Sequence, residues 1–236
     1  MPRPQRHFLP DVPSHIVQRG NNRQLCFFTQ RDYKVYLDKL REYSVKFEVE
    51  IHSFVLMSNH VHLLATPATS TGISQLMQSL GRYYVRYVNG RYNRTGTLWE
   101  GRFHASLVDS QEYLLAVCRY IELNPVRAGM VVHPAQYPWS SFRCNALGKR
   151  IRLVTKHSVY LALGSTPSAR QQVYCEYFRS KIPESMLKKI RESSNKTWVL
   201  GNKLFKKRVE RQLGFSLPPF PRGGDRRSKG NNKSPY

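Results

Sequence analysis

The amino-acid sequence predicts an α+β fold, in which an antiparallel sheet is covered by helices on one face. The first observation is the order of patterned segments in residues 14–123, which reads strand, helix, strand, strand, helix, strand, helix. The second is size, because 236 residues with 40% hydrophobic side chains are enough to bury a core. The first six segments form a βαββαβ series, which is the pattern of a ferredoxin-like sheet.

The first strand and helix are indicated by turn chemistry and by helical spacing. Residues 14–19 (SHIVQR) are strand-like, and the GNNR that follows supplies turn residues. Thr29 and Asp32 are both candidates to cap the next helix. Its apolar side chains recur at intervals of three and four residues: Tyr33, Tyr36, Leu37, Leu40 and Tyr43.

The later elements follow the same two periodicities. Residues 48–57 (EVEIHSFVLM) and the following HVHLLAT indicate two strands, joined by a tight connection at Ser58–Asn59. Next come a helix near residues 73–92, a strand near 99–108 and a helix over 111–123. Domain limits are predicted as 1–145 for the domain that contains these elements, 146–217 for a helical, basic C-terminal region and 218–236 for a disordered basic tail.

The charge of the chain points to a polyanionic partner. Thirty-eight Lys and Arg against fifteen acidic residues leave a net charge of +23 and a pI near 10.2. Nucleic acid is the commonest polyanionic partner of a protein with such a charge. A basic membrane-surface protein is the competing class, but no basic amphipathic helix stands at a terminus and no apolar run reaches the roughly 20 residues of a membrane span. We therefore expect a cytoplasmic, nucleoid-associated protein without a membrane partner.

A pair of histidines is the first candidate for a site. In MSNHVHLL, His60 and His62 stand at i and i+2 of a predicted strand, so both imidazoles project from the same face. Such a pair suits a metal ion or a phosphate. The alternative is a pair of structural histidines that bond to their neighbours on the sheet.

The helix over 111–123 offers further reactive groups. Tyr120 and Asn124 are four residues apart and share a face near the helix end, where Pro125 interrupts the pattern. Two imidazoles and an amide oxygen would leave a divalent ion with open positions for a phosphodiester, and Mg²⁺ or Mn²⁺ suits that chemistry. A tyrosine nucleophile needs a cation to favour its phenolate, and Arg119 and Arg127 are nearby. The alternatives are that Tyr120 is a core aromatic and that Asn124 only ends the helix.

These motifs resemble the single-tyrosine HUH transposases (U denotes a hydrophobic residue), and most of all the REP-associated tyrosine transposase group. The resemblance covers roughly residues 10–145 and is carried by MSNHVH and RYIELNPVRAG. It implies that His60 and His62 bind the metal, that Tyr120 is the nucleophile, and that Asn124 stands where relatives carry an amide ligand. It also implies a single-stranded DNA substrate with hairpin-forming repeats, and a 5′-phosphotyrosine intermediate with a free 3′-OH.

The segment GRYYVRYVNGRYNRTG interleaves arginines and tyrosines on a predicted helix. Arginines neutralise phosphates and tyrosines stack on unpaired bases, whereas the alternative is a solvated basic face with tyrosines packed on the sheet. The predicted DNA contacts are Arg82, Arg86, Tyr87, Arg91 and Arg94.

The predicted activity is a metal-dependent transposase that cleaves and rejoins single-stranded DNA. A catalytically silent DNA- or RNA-binding regulator is the main alternative, because the same basic surface would bind without cleavage. A nicking enzyme of replication initiation shares the chemistry but would act at an origin. Whether Tyr120 serves the histidines of its own subunit or of a partner is open, so both a monomer and a homodimer are compatible with the sequence.

Overall fold

The computed structural model describes residues 6–196 and 199–215, so the predicted tail at 218–236 lies outside the described residues. The strands are β1 (Ser14–Arg19), β2 (Val49–Leu56), β3 (His60–Pro67) and β4 (His104–Leu107). The helices are α1 (Gln30–Lys46), α2 (Gly72–Arg91), α3 (Ser110–Glu122), α4 (Asn124–Arg127), α5 (Phe142–Leu147), α6 (Ser158–Leu161), α7 (Pro167–Glu176), α8 (Glu184–Lys196) and α9 (Lys203–Leu213), with short 3-10 turns at Asn21–Arg23 and Pro134–Gln136.

The sheet has the order β2-β3-β1-β4, and each neighbouring pair is antiparallel. Helix α1 connects β1 to β2 across β3, and α2 connects β3 to β4 across β1. This is the predicted ferredoxin-like βαββαβ arrangement. The fourth strand is shorter than the predicted 99–108, because Gly101 adopts a φ of 77° and ends the extended pairing before residue 104.

Both faces of the sheet are covered. One face packs on α1 and α2, and its core contains Ile16, Val61 and Leu63. The opposite face packs on α3 and α8, and its core contains Val55 and Leu64. The sequence predicted helices on one face, which describes α1 and α2. The second layer arises from residues after β4, whose apolar stripes cover what would otherwise be an exposed hydrophobic sheet face.

The C-terminal region packs on the sheet. Core residues Tyr174 and Ile190 belong to the same cluster as Leu114 and Val117 of α3. Helix α9 contributes Phe205 and Val209 to a core cluster that also contains Leu107 of β4. The described part of residues 146–217 is helical, as the sequence predicted, and none of the described helices is both long and apolar enough to cross a membrane.

A buried carboxylate ties α3 to the segments that follow it. Glu122 is fully buried and accepts hydrogen bonds from Ser141 Oγ at 2.5 Å, Asn145 Nδ2 at 2.8 Å and Tyr174 Oη at 2.9 Å. Burial raises the pKa of Glu122, and the three donors act in the opposite direction. Ser141 and Asn145 precede the predicted domain limit and Tyr174 follows it, so a single polar network spans that limit.

A second buried carboxylate joins α1 to the end of α2. Asp32 lies in the first turn of α1 and accepts from the backbone N–H of Phe28 at 2.9 Å and of Thr29 at 2.8 Å. It also accepts from the hydroxyls of Tyr87 and Tyr92, each at 2.8 Å. Burial alone would raise the pKa of Asp32, but these donors outweigh burial and lower it.

We expect Asp32→Asn to lower the free energy of unfolding by about 2 kcal/mol at pH 7, because the charge-assisted hydrogen bonds are lost. The folded pKa of Asp32 lies below its ordinary value of 3.8, so this stabilisation is present above pH 3.8 and is lost as the pH falls through the folded pKa. Urea denaturation at pH 7 and pH 3 measures the difference. Asp38→Asn, at an exposed position of α1, is the control. A difference that did not shrink at low pH would contradict this account.

Candidate active site

The strand register brings the two histidines to the face that α3 and α8 cover. His60 is paired with Arg19, and His62 lies between Val17 of β1 and Val55 of β2. The two imidazole rings are 5.1 Å apart between centroids. His62 is buried, whereas His60 is partly exposed, so the pair is approached from the His60 side.

The ring nitrogens of His60 are distinguished by a hydrogen bond. Asn59 Nδ2 donates to the backbone carbonyl of Arg23 at 3.0 Å, which orients the amide so that its oxygen faces His60. His60 Nδ1 lies 2.7 Å from that oxygen and therefore carries the proton that it donates. The lone pair of His60 is consequently on Nε2.

His62 is held by a histidine that the sequence reading did not single out. His15, on β1, is fully buried, and its Nε2 lies 2.9 Å from His62 Nδ1. The two rings stack with a centroid distance of 5.1 Å. Because Nδ1 of His62 is occupied by this contact, Nε2 is the ring nitrogen that remains for a ligand.

Both histidines are neutral near pH 7. Burial, with a smaller contribution from the charge of Arg19, lowers the pKa of His60 to about 4. Burial also holds the pKa of His62 well below its usual value, and His15, His60, Arg19 and Arg127 act in the same direction. Two uncharged imidazoles with free lone pairs are the form in which histidine binds a metal ion.

Tyr120 projects from α3 onto these rings. Its ring centroid lies 5.9 Å from that of His62 and 5.8 Å from that of His15, with an edge-to-face geometry in both contacts. The guanidinium of Arg127 lies 4.5 Å from the centre of the Tyr120 ring. Arg119, the other candidate cation, is directed away, because its guanidinium donates to the backbone carbonyl of Ser180.

Asn124 is the first residue of α4, and only Leu123 separates it from the end of α3. Its Nδ2 donates to the carbonyls of Tyr120 at 3.1 Å and Ile121 at 3.3 Å, so the helix-ending role is present. The same bonds leave Oδ1 as the side-chain atom available to a ligand. Within residues 6–196 and 199–215 no three His, Cys, Asp or Glu side chains form a metal-binding group, so a metal ion here needs an amide, solvent or substrate oxygen beside the two histidines.

The predicted DNA contacts lie on α2 and just after it. Helix α2 packs on the other face of the sheet from His60 and His62. Arg82 and Arg86 are exposed along it. The hydroxyl of Tyr87 is bonded to Asp32, and Arg91 Nε lies 3.8 Å from Asp32 Oδ1.

Arg94 follows the C-terminal end of α2, and its guanidinium lies 5.7 Å from the ring centre of Phe28. The segment around Phe28 is joined to the hairpin before His60, because the N–H groups of Cys26 and Phe27 donate to the carbonyl of Ser58. The C-terminal end of α2 is thus linked to the end of the sheet where His60 lies. Arg82 and Arg86 lie earlier along α2, farther from this link.

A small cleft borders the site on the side of β4. It has a volume of about 50 Å³ and is lined by Val17, Arg19, Glu100, Arg102, His104 and Ser194. A larger cleft of about 450 Å³ lies at the other end of the sheet, lined by residues that include Glu48, Glu50 and Arg152. Cavity size therefore does not mark the histidine site, because the larger cleft lies at the opposite end of the sheet.

Sequence patterns did not identify three residues of the site, which are His15, Arg19 and Ser194. The alternation of SHIVQR puts His15 and Arg19 on one face of β1, and this was the available signal. The pairing of β1 with β3 was needed to bring that face beside His60 and His62. Ser194 had no local signal, because it is 179 positions from its partner His15.

The first half of the chain is similar to a known protein family. Residues 9–124 match the family model described as "Transposase IS200 like". None of the curated proteins is similar to the chain at a significant level.

Among solved structures, the fold is similar to that of a REP-associated tyrosine transposase bound to a REP hairpin. The TM-score is 0.54 and the identity 16%, and the match covers 67% of this chain and 93% of that one. A transposase candidate from Deinococcus radiodurans is 20% identical with a TM-score of 0.36, over 51% of this chain and 95% of that one. The first likeness supports the fold described above.

Proposed function

Because residues 9–124 match the model of the IS200-like transposase family, we propose that this protein cleaves and rejoins single-stranded DNA through a covalent bond to Tyr120. The observation that carries the proposal is the contact between the Tyr120 ring and His62, at 5.9 Å, beside two histidines whose Nε2 atoms are open. The proposed nucleophile and the candidate metal site are adjacent within one chain, which supports the use of Tyr120 with the histidines of its own subunit.

The donor set suits a divalent ion. His60 Nε2, His62 Nε2 and Asn124 Oδ1 are the atoms that would hold Mg²⁺ or Mn²⁺. When bound, the ion would supply positive charge that polarises a non-bridging oxygen of the scissile phosphate. The two histidines are neutral, so they leave that charge undiminished.

The proposed step is an in-line displacement at phosphorus. The phenolate oxygen of Tyr120 forms a bond to the phosphorus while the bond from phosphorus to the 3′ oxygen breaks. The phenol proton passes to solvent, and the departing 3′ oxygen takes up a proton to become a 3′-OH. The resulting 5′-phosphotyrosine is a phosphodiester, so attack by a 3′-OH reverses the step without ATP.

Two arginines support this chemistry. The guanidinium of Arg127 lies 4.5 Å from the centre of the Tyr120 ring, where its charge would attract the phosphate that this tyrosine attacks. Arg19 is the register partner of His60, so its charge favours a phosphate bound at the histidines. Both arginines act through charge, which gives them a role in binding the anionic strand as well as in the reaction.

Hairpin-bearing single-stranded DNA is the proposed substrate class. The similar structure is described as bound to a REP hairpin, and the chain of this protein has a net charge of +23. Exposed Arg82 and Arg86 are proposed to hold phosphates at a distance from the histidines, and Arg91 and Arg94 nearer to them. Tyr87 is proposed as a contact through its ring, because its hydroxyl is bonded to Asp32.

We expect Arg82→Ala and Arg86→Ala each to reduce the slope of log K against log salt concentration by about 1, because each removes one phosphate contact. Fluorescence anisotropy with a labelled hairpin oligonucleotide at several salt concentrations measures this slope. Arg179→Ala is the matched control, since Arg179 is an exposed arginine outside the proposed contacts. An equal slope for all three variants and the wild type would remove α2 from the DNA-binding surface.

The proposal is tested by trapping the covalent adduct. Wild-type protein is incubated with single-stranded hairpin oligonucleotides and Mn²⁺ or EDTA, and the products are separated on a denaturing gel. We expect a shifted protein–DNA band that disappears with EDTA, with His60→Ala and with His62→Ala, but persists in His133→Ala, an exposed histidine away from the site. Tight DNA binding without any adduct would instead favour the noncatalytic DNA- or RNA-binding regulator.

A further inference from the structure

A chain of buried hydrogen bonds runs from α8 to His62. It joins the carbonyl of Ile190, Ser194 Oγ, His15 and His62 in sequence. We propose that His15 and Ser194 are positioning residues that fix the tautomer of His62, so that its unprotonated Nε2 faces the metal site. This inference rests on the proposed function only in what His62 binds, because the tautomer itself is a property of the protein without metal.

The donor–acceptor direction of this series of hydrogen bonds is set at its α8 end. Ser194 Oγ lies 2.7 Å from the carbonyl of Ile190, which can only accept, so the hydroxyl proton is donated there. The oxygen of Ser194 is then left as the acceptor for His15 Nδ1, which lies 2.9 Å away. The proton of the neutral His15 ring is therefore on Nδ1.

The tautomer of His15 in turn determines the tautomer of His62. With its proton on Nδ1, His15 presents a lone pair at Nε2, and His62 Nδ1 lies 2.9 Å from that atom. His62 must then carry its proton on Nδ1 and its lone pair on Nε2. If His15 had the opposite tautomer, His62 would be protonated on Nε2 and could not bind a metal ion through that nitrogen.

This series of hydrogen bonds from Ile190 to His62, here called the relay, is shielded from solvent. His15 is 0% exposed, His62 5% and Ser194 6%, so water does not compete readily for these hydrogen bonds. The stacked His15 and His62 rings, with 20° between their planes, also fix the orientation of the imidazole. Ring orientation and tautomer are the two properties that a hydrogen-bonded neighbour controls in a metal-binding histidine.

This assigns a role in the site to the C-terminal region. Ser194 belongs to α8, far from β1 in the sequence, and α8 packs against both β1 and β4. The segments that contain His62 and Tyr120 therefore do not complete the site alone, because the tautomer of His62 depends on a hydroxyl supplied by α8.

The test compares Ser194→Ala with Ser193→Ala in the full chain. Ser193 is also buried and also donates to the carbonyl of Ile190, at 3.0 Å, but is not bonded to His15. Long-range ¹H–¹⁵N spectra of the imidazole nitrogens report the tautomer without metal, and Mn²⁺ titration by calorimetry reports affinity. Loss of Ser194 Oγ removes the acceptor for His15 Nδ1–H, so the opposite tautomers of His15 and His62 become populated.

We expect His62 to be protonated on Nδ1 in the wild type and in Ser193→Ala, and to move towards Nε2 protonation in Ser194→Ala. We expect Mn²⁺ affinity to fall about tenfold in Ser194→Ala and to be unchanged in Ser193→Ala. The inference is overturned if His62 carries its proton on Nε2 in the wild type, or if the two serine variants behave alike. Correct tautomers in a wild type that binds no Mn²⁺ would support the relay and contradict the metal in the proposed function.

Discussion

Tyr120→Phe is expected to abolish the covalent protein–DNA adduct while leaving DNA binding intact. The substitution removes only the hydroxyl, so the ring contacts with His62 and His15 persist. Without the oxygen no bond to phosphorus forms, and the loss of adduct is complete rather than partial. The measurement is the denaturing gel described above, with anisotropy on the same oligonucleotide to show that binding is retained.

Tyr113→Phe is the matched control for this result. Tyr113 lies two turns earlier on α3 and is buried like Tyr120, but its ring faces Lys189 rather than the histidines. An adduct that survived Tyr120→Phe and disappeared in Tyr113→Phe would show that Tyr113 is the nucleophile. A mixture of the Tyr120→Phe and His62→Ala variants adds a test of subunit use, since it should form no adduct if each Tyr120 acts with its own histidines.

Glu122→Ala is expected to lower the free energy of unfolding by about 3–5 kcal/mol, the largest effect on stability that we predict. The truncation leaves the buried donors of Ser141, Asn145 and Tyr174 without their acceptor and opens a cavity between α3, α5 and α7. Urea denaturation followed by circular dichroism measures the change. The adduct assay at low temperature then shows whether the folded fraction remains active.

Glu122→Gln separates the hydrogen bonds from the packing. Glutamine keeps the size of the side chain and one carbonyl acceptor, so we expect a smaller loss than for alanine. Ser141 and Asn145 both donate to the same oxygen, Oε1, which a glutamine oxygen can replace. Equal losses for the two variants would mean that the negative charge, rather than acceptor geometry and packing, carries the contribution of Glu122.

Local periodicity was sufficient for the βαββαβ core. Alternation in SHIVQR and HVHLLAT, and helical spacing after Thr29, are properties of short segments, so they are read without knowledge of the rest of the chain. The limits of β4 were less accessible, because strand propensity continues through residues 99–103 while the backbone turns at Gly101.

The choice between neighbouring side chains depended on packing. Arg119 and Arg127 are both close to Tyr120 in sequence, yet only Arg127 lies over its ring. Arg119 is drawn to Ser180 in the loop before α8. Likewise, Tyr87 and Arg91 belong to a basic helix whose sequence predicts a DNA-binding surface, but Asp32 of α1 contacts both. Sequence spacing does not contain these contacts, because each partner lies on another element.

The sequence by itself determined the residue types of the site and the faces they share. His60 and His62 lie on one face because strands alternate with a period of two, and Tyr120 precedes Asn124 by one helical turn. Only the tertiary structure decided that α3 and α8 cover that face and that His15 and Ser194 hold His62. The physical reason is that the alternation of side chains along a strand is a local property. The elements that pack on the strand instead follow from its register and from the burial of apolar surfaces contributed by distant segments.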